Sequence, residues 1–272
     1  MSFIELKNIT FAYPNNYTAV ENVSMSIEKG EAVAIVGQNG AGKTTTVKLM
    51  NGLLKPTKGE VIVDGWNTKE YTTAQVSRKV GYVFQNPDDQ IFNSDVYKEV
   101  EFGPKNLGFT EVEVKNNVMK AVELTGINDL LDENPYNLPF SIRKFVTIAS
   151  VLAMNTDAVI LDEPTAGQDI YGMQKLSKLI ADLKKENKTV ITITHDMEFV
   201  VNNFDRVIVM AHKNKIYDGD KREVFWNKEI LQDARLKQPY ISSMANKLNI
   251  PGNILSISEF IDYLRKMQVK NI

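Results

Sequence analysis

The first hundred residues alternate short apolar blocks with turn residues, as strands do. Ile4, Leu6, Ile9 and Phe11 fall mostly on alternate positions, the spacing of one face of a half-buried strand. Residues 31–36, EAVAIV, are apolar on both faces and predict a strand buried between layers. Residues 59–64, GEVIVD, and 79–84, KVGYVF, read as two more strands, stopped by Asp64-Gly65 and Asn86-Pro87. From about residue 95 to 153 the chain turns rich in Glu, Lys and Leu with helical spacing, as in Val112, Val118, Val122 and Leu124. Strand signals return at residues 158–161, 189–194 and 207–210, with a helical pattern over 172–185 between the first two. That alternation predicts parallel βα units. Beyond Phe225 the tail is lysine-rich, and one amphipathic helix is predicted over 258–267, with Phe260, Ile261 and Leu264 on one side.

Composition narrows the class without naming a function. At 272 residues and 43% apolar content the chain can bury a substantial core in one large domain or two small ones. Its 32 Lys plus Arg against 34 Asp plus Glu argue against a protein built to coat nucleic acid or an anionic membrane. No run approaches the ~20 apolar residues that span a bilayer. The start, MSFIELKN, lacks the basic end and apolar block of a signal peptide. With no cysteine, disulfides and thiol chemistry are excluded, which fits a cytosolic setting.

The chemistry begins at residues 37–44, GQNGAGKT, which match G-x-x-x-x-G-K-[ST]. This segment directly follows EAVAIV and precedes a helix-like run, 45–51, so the strand–loop–helix context is right. Glycines let the backbone reach φ > 0 and approach phosphate oxygens with no Cβ in the way. Amides from Gly37, Asn39, Gly40, Ala41, Gly42 and Thr45 then form a cradle for phosphate at a helix N-terminus. Lys43 would reach the β- and γ-phosphates, and the Thr44 hydroxyl would join a Mg²⁺ shell. A second apolar strand, 158–164 (AVILDEP), ends in two carboxylates. Ligands of open α/β sheets gather at the carboxyl ends of strands, so Asp162 would face the metal and Glu163 an attacking water.

Gln85 after KVGYVF, His195 after TVITIT, and Tyr13 in FAYPN complete a set whose order resembles the ATP-binding subunits of ABC transporters. The resemblance covers about residues 3–224. It implies an α/β P-loop NTPase with a RecA-like core, an antiparallel β subdomain and an inserted helical subdomain at about 87–155. It also implies ATP and Mg²⁺ as cofactors. Tyr13 would stack on the base, Gln85 would touch Mg²⁺ or water, His195 would contact the γ-phosphate, and Asp169 would communicate across a dimer. Residues 84–108, FQNPDDQIFNSDVYKEVEFGPKNLG, resemble more narrowly the ATPases of energy-coupling factor transporters and the related cobalt and nickel importers. In that family two ATPases clasp a transmembrane coupling protein, which contacts a substrate-binding membrane protein. The chain would then sit at the cytoplasmic face of the membrane. Residues 1–224 would form the ATPase domain and 225–272 an extension at the ATPase–ATPase contact.

One departure matters. The family signature is LSGGQ, and residues 138–142, LPFSI, stand in its place. Pro139 has no N–H to donate, and Phe140 sets a ring where close backbone approach needs a bare Cα. Losing one preorganised donor typically costs about 10²–10³ in rate. The expectation is an asymmetric heterodimer: a partner's LSGGQ completes this chain's ATP site, while the site served by LPFSI is poor. A soluble ABC ATPase acting on ribosomes or DNA, or a regulatory subunit with little turnover, are the alternatives. Gln168, where the family has an apolar residue, is a smaller departure.

Overall fold

In the computed structural model, which describes residues 2–270, the chain opens with two long antiparallel strands, β1 (Ser2–Ala12) and β2 (Thr18–Glu28). Then come β3 (Ala32–Val36), α1 (Lys43–Met50), β4 (Lys58–Val63) and β5 (Trp66–Asn67). A short helix α2 (Thr73–Val76) leads into β6 (Val80–Val83). Helices α3 (Val96–Asn106), α4 (Glu111–Thr125) and α5 (Phe140–Ala153) form a block inserted before β7 (Ala158–Asp162). The sequence then runs α6 (Ile170–Lys185), β8 (Thr189–Ile193), α7 (Met197–Asn203), β9 (Arg206–Ala211) and β10 (Asn214–Asp220). Four helices close it: α8 (Lys221–Trp226), α9 (Lys228–Asp233), α10 (Tyr240–Lys247) and α11 (Ile257–Lys270).

Two sheets result. One is antiparallel, in the order β2-β1-β4-β5. The other runs β10-β9-β3-β8-β7-β6, parallel throughout except for β10 at the edge. The expected α/β P-loop class, with an antiparallel sheet and an inserted helical block, is present.

The apolar runs that do not alternate have a clear cause. In β3, Ala32, Ala34 and Val36 face a core built from the helices, while Val33 and Ile35 face a second core shared with the antiparallel sheet. In β7, Val159 and Leu161 face the first core, Ala158 and Ile160 the second. Both faces are dry, so both must be apolar. Parallel strands sandwiched this way bring the carboxyl ends of β3, β6, β7 and β8 to one edge.

Several expectations need correction. The sequence reading did not place β2 or β10. Val112 does not share the buried face of α4; it is exposed, while Val118 and Val122 are buried. Among the described residues beyond Phe225, α9 and α10 precede the predicted helix, which is present as α11. Among the described side chains of α11 only Phe260 is buried, against Ala245, Ile250 and Ile254, whereas Ile261 and Leu264 are exposed. Among the described residues, no helix is long and apolar enough to cross a membrane.

Candidate nucleotide site

The loop between β3 and α1 can follow its path only with glycine at two points. A Cβ on Gly37 (φ 148°) would lie 2.0 Å from the Met210 carbonyl oxygen, and one on Gly42 (φ 97°) 2.6 Å from that of Ala19. Gly40 also has positive φ, with open space around it. Gly42 caps α1, whose first turn carries no acid, so its positive end is unopposed. Lys43 curls back over the loop and donates to the carbonyl oxygens of Gly37 (2.8 Å) and Gln38 (3.0 Å). Burial lowers its pKa, and the charges of Glu163 and Asp162 pull it back up. Asn39, Gly40, Gly42, Lys43, Thr44, Thr45, Gln85 and Glu163 line one open cleft. Ala41 is buried beneath it.

The carboxyl end of β7 reaches this cleft from beside β3. Thr44 Oγ1 donates to Asp162 Oδ1 at 3.4 Å, and the Tyr82 hydroxyl donates to Asp162 Oδ2 at 2.6 Å. Burial, then the charge of Asp162, raises the Tyr82 pKa far above its ordinary value, so this phenol stays a donor. Glu163 follows with φ 50°, unusual for a residue with a side chain. Its N–H donates to the Ile193 carbonyl oxygen (2.9 Å), and its Oε2 meets His195 Nδ1 at 2.8 Å. The His195 ring is otherwise largely solvent-exposed. A hydroxyl pair, Thr165 with Thr194 (2.8 Å), ties the loops after β7 and β8 together.

The remaining sequence candidates are placed as follows. Gln85, at the end of β6, is exposed and lines the cleft. The Tyr13 hydroxyl is 3.2 Å from Thr45 Oγ1, and its ring packs edge-on to Phe11. Asp169 caps α6, accepting from the Gly172 N–H at 2.8 Å. Pro139 begins α5 with no side-chain cap, and the Phe140 ring lies against Gly167. Gln168 Nε2 donates to the Ser141 carbonyl oxygen at 3.1 Å, so the segments holding both departures from the family pattern touch.

Two residues were missed. Tyr82 is a phenol in the otherwise apolar strand VGYV, and that polar group was the available signal. Lys144 opens the stretch 144–151 of α5, which is buried throughout, and its ammonium donates to the Glu163 carbonyl oxygen. Burial pushes its pKa down to about 8, with Glu163 and Asp162 opposing.

The phosphate loop and the strand-end carboxylates fall within residues 20–166, which match a family model described as "ABC transporter", and His195 follows beyond them, just after β8. The chain belongs to the ABC transporter family. It is 39% identical over 256 residues to the energy-coupling factor transporter ATP-binding protein EcfA of Methanocaldococcus jannaschii, covering 93% of this chain and 92% of that one. The protein of the same name from Methanosphaera stadtmanae is 37% identical over 272 residues, covering 97% and 98%. CbiO1 of Clostridium perfringens, described as part of the ABC transporter complex CbiONQ, superposes with a TM-score of 0.77 at 35% identity. That match covers 90% of this chain and 99% of CbiO1. The chain is therefore an ATP-binding, ATP-hydrolysing subunit of the energy-coupling factor type.

Proposed function

We propose that this chain powers an importer of vitamins or transition-metal ions, as one of two unlike ATPases on the cytoplasmic face of a membrane. The observation that carries the asymmetry is a contrast within one molecule. Thr44, Asp162, Glu163 and His195 are assembled around the cleft, while LPFSI occupies the segment that a partner's ATP would need. A partner carrying LSGGQ would complete this chain's site. A regulatory subunit of low turnover would keep LPFSI but would not need the Glu163–His195 pair.

In this reading the loop amides and Lys43 grip the phosphates, and Tyr13 turns from Thr45 to the base. Glu163 accepts a proton from the attacking water, with His195 holding its carboxylate and reaching the γ-phosphate. Thr44 and Asp162, oxygens 3.4 Å apart, suit a magnesium ion that takes one or two protein oxygens and the rest from phosphate and water. Among the described residues no group of three or more His, Cys, Asp or Glu could hold a metal without the nucleotide. Mg²⁺ would neutralise charge on the phosphates, and Gln85 stands at the rim to sense it. ATP held between two subunits favours the closed pair, and phosphate release reopens it.

The groove formed by Leu53, Tyr82, Phe84, Phe92 and Phe102 would receive the transmembrane coupling protein, which in turn would hold the substrate-binding membrane protein. Residues 225–272 would extend the ATPase–ATPase contact. Purification of the intact assembly, with identification of its subunits, tests this. The expected partners are a second ATPase with LSGGQ and integral membrane proteins. Isolation of a homodimer of this chain with full turnover would overturn the asymmetric assembly.

A further inference from the structure

Lys144 is 2% exposed, and its ammonium donates to the main-chain oxygen of Glu163. Lysine is almost never so buried unless paired, and burying the charge is costly. A methionine would fill the space without that cost, so the ammonium calls for a reason. The oxygen it grips belongs to the residue whose carboxylate meets His195 and whose backbone is held at φ 50°. A side-chain-bearing residue takes that conformation only at a cost, so something must hold it there. The Glu163 N–H is fixed by Ile193, and its carbonyl oxygen by Lys144 together with the Ala166 N–H at 3.3 Å. With both flanking peptide planes fixed, the direction of the Glu163 side chain is set.

The anchor lies on a separate element. Lys144 sits on the first turns of α5, beside Phe140 and Ser141. Its ammonium lies 5.6 Å from the Phe140 ring centroid, that ring lies against Gly167, and Gln168 bonds Ser141. The start of α5 is thus stitched to the loop after β7 at three points. If α5 moves, the Glu163 peptide moves with it.

We propose that Lys144 is a positioning residue for hydrolysis, holding the Glu163 carboxylate on His195 and making that alignment depend on the seating of α5. The inference rests on the assignment of Glu163 as the carboxylate that handles the attacking water.

The test is a double-mutant cycle on ATP turnover in the intact complex, with Lys144→Met, Glu163→Gln and both together. Misplacement by about 1 Å typically costs ~10²-fold, so Lys144→Met should lower kcat by about that factor and leave the KM for ATP within about threefold. Lys144→Gln, which keeps an N–H donor, should recover at least about tenfold of the loss. In the Glu163→Gln background, Lys144→Met should change the residual rate by less than about threefold, because the group it aligns is gone. Turnover of Lys144→Met within threefold of wild type, or an equal fall in both backgrounds, overturns the proposal. Direct ATP titration of Lys144→Met reports whether its site is folded; if that variant does not assemble, Lys144→Leu, which also lacks the donor, carries the same comparison. Undiminished turnover in Glu163→Gln would instead remove the Glu163 assignment and the inference with it. That outcome is distinct from an inactive Glu163→Gln beside a normal Lys144→Met.

Discussion

Lys144 also makes a sharp prediction about stability. Its pKa falls from 10.5 to about 8 on folding, chiefly through burial. Between those values the unfolded chain keeps a proton that the folded chain releases, so stability rises with pH across that window. Below about pH 8 the full penalty of the buried charge is present, on the order of 3 kcal/mol. Lys144→Met removes that penalty and also the hydrogen bond to Glu163, worth about 1.5–3 kcal/mol for a charged donor. The Glu163 oxygen keeps the Ala166 N–H, which places the loss at the lower end. The variant should therefore be as stable as the wild type at pH 7, or more stable by up to about 1.5 kcal/mol. Above about pH 10.5 the order should reverse, since the penalty is then gone and the neutral wild-type amine keeps its bond. Urea unfolding of both proteins at pH 7 and about pH 11 reads this directly. A Met variant more than about 2 kcal/mol less stable at pH 7 would refute the reasoning, because the ammonium would then be a net structural support.

Other outcomes follow from the same geometry. Lys43→Ala should weaken ATP binding by about 10²-fold or more, measured calorimetrically, because it removes the cation facing the phosphates while the loop stays formed. Gly37→Ala should cost more than about 2 kcal/mol in chemical denaturation and also weaken nucleotide binding, since its Cβ would fall 2.0 Å from the Met210 oxygen. Tyr82→Phe leaves Asp162 one donor short and should cost about 1–3 kcal/mol of stability. Arg206 bonds Asp218 through Nε and Nη2, Glu31 through Nη1 and the Ser26 carbonyl through Nη2. Arg206→Ala should lower stability by about 2 kcal/mol, with turnover measured in the folded protein little changed.

The fold was legible where structure is locally encoded. AVAIV is apolar throughout because both faces of β3 are covered, and GQNGAGKT carries its backbone requirements in its glycines. Strand β2 was harder to see because bulges near Asn8 and Asn22 break its alternation against β1, and β10 is a half-buried, polar edge strand. Helices α8, α9 and α10 are six to eight residues long, too short for a clear periodic signal. At the site, the residue types could be read from the motifs, but their pairings could not. Tyr82 meets Asp162 across 80 residues, and Lys144 meets Glu163 across two separate elements. Those contacts arise from packing of α5 and β6 on β7, which no local pattern encodes. The same holds for Gln168, whose place beside Ser141 follows from the seating of Phe140 on Gly167.

The central claim is that this chain's own cleft is the productive ATP site of an asymmetric pair. The direct measurement is ATP turnover of the purified two-ATPase complex with the strand-end glutamate changed to Gln in one subunit at a time. Glu163→Gln in this chain should abolish turnover, and the equivalent change in the partner should leave most of it. The opposite pattern, or equal loss from either change, would contradict the account.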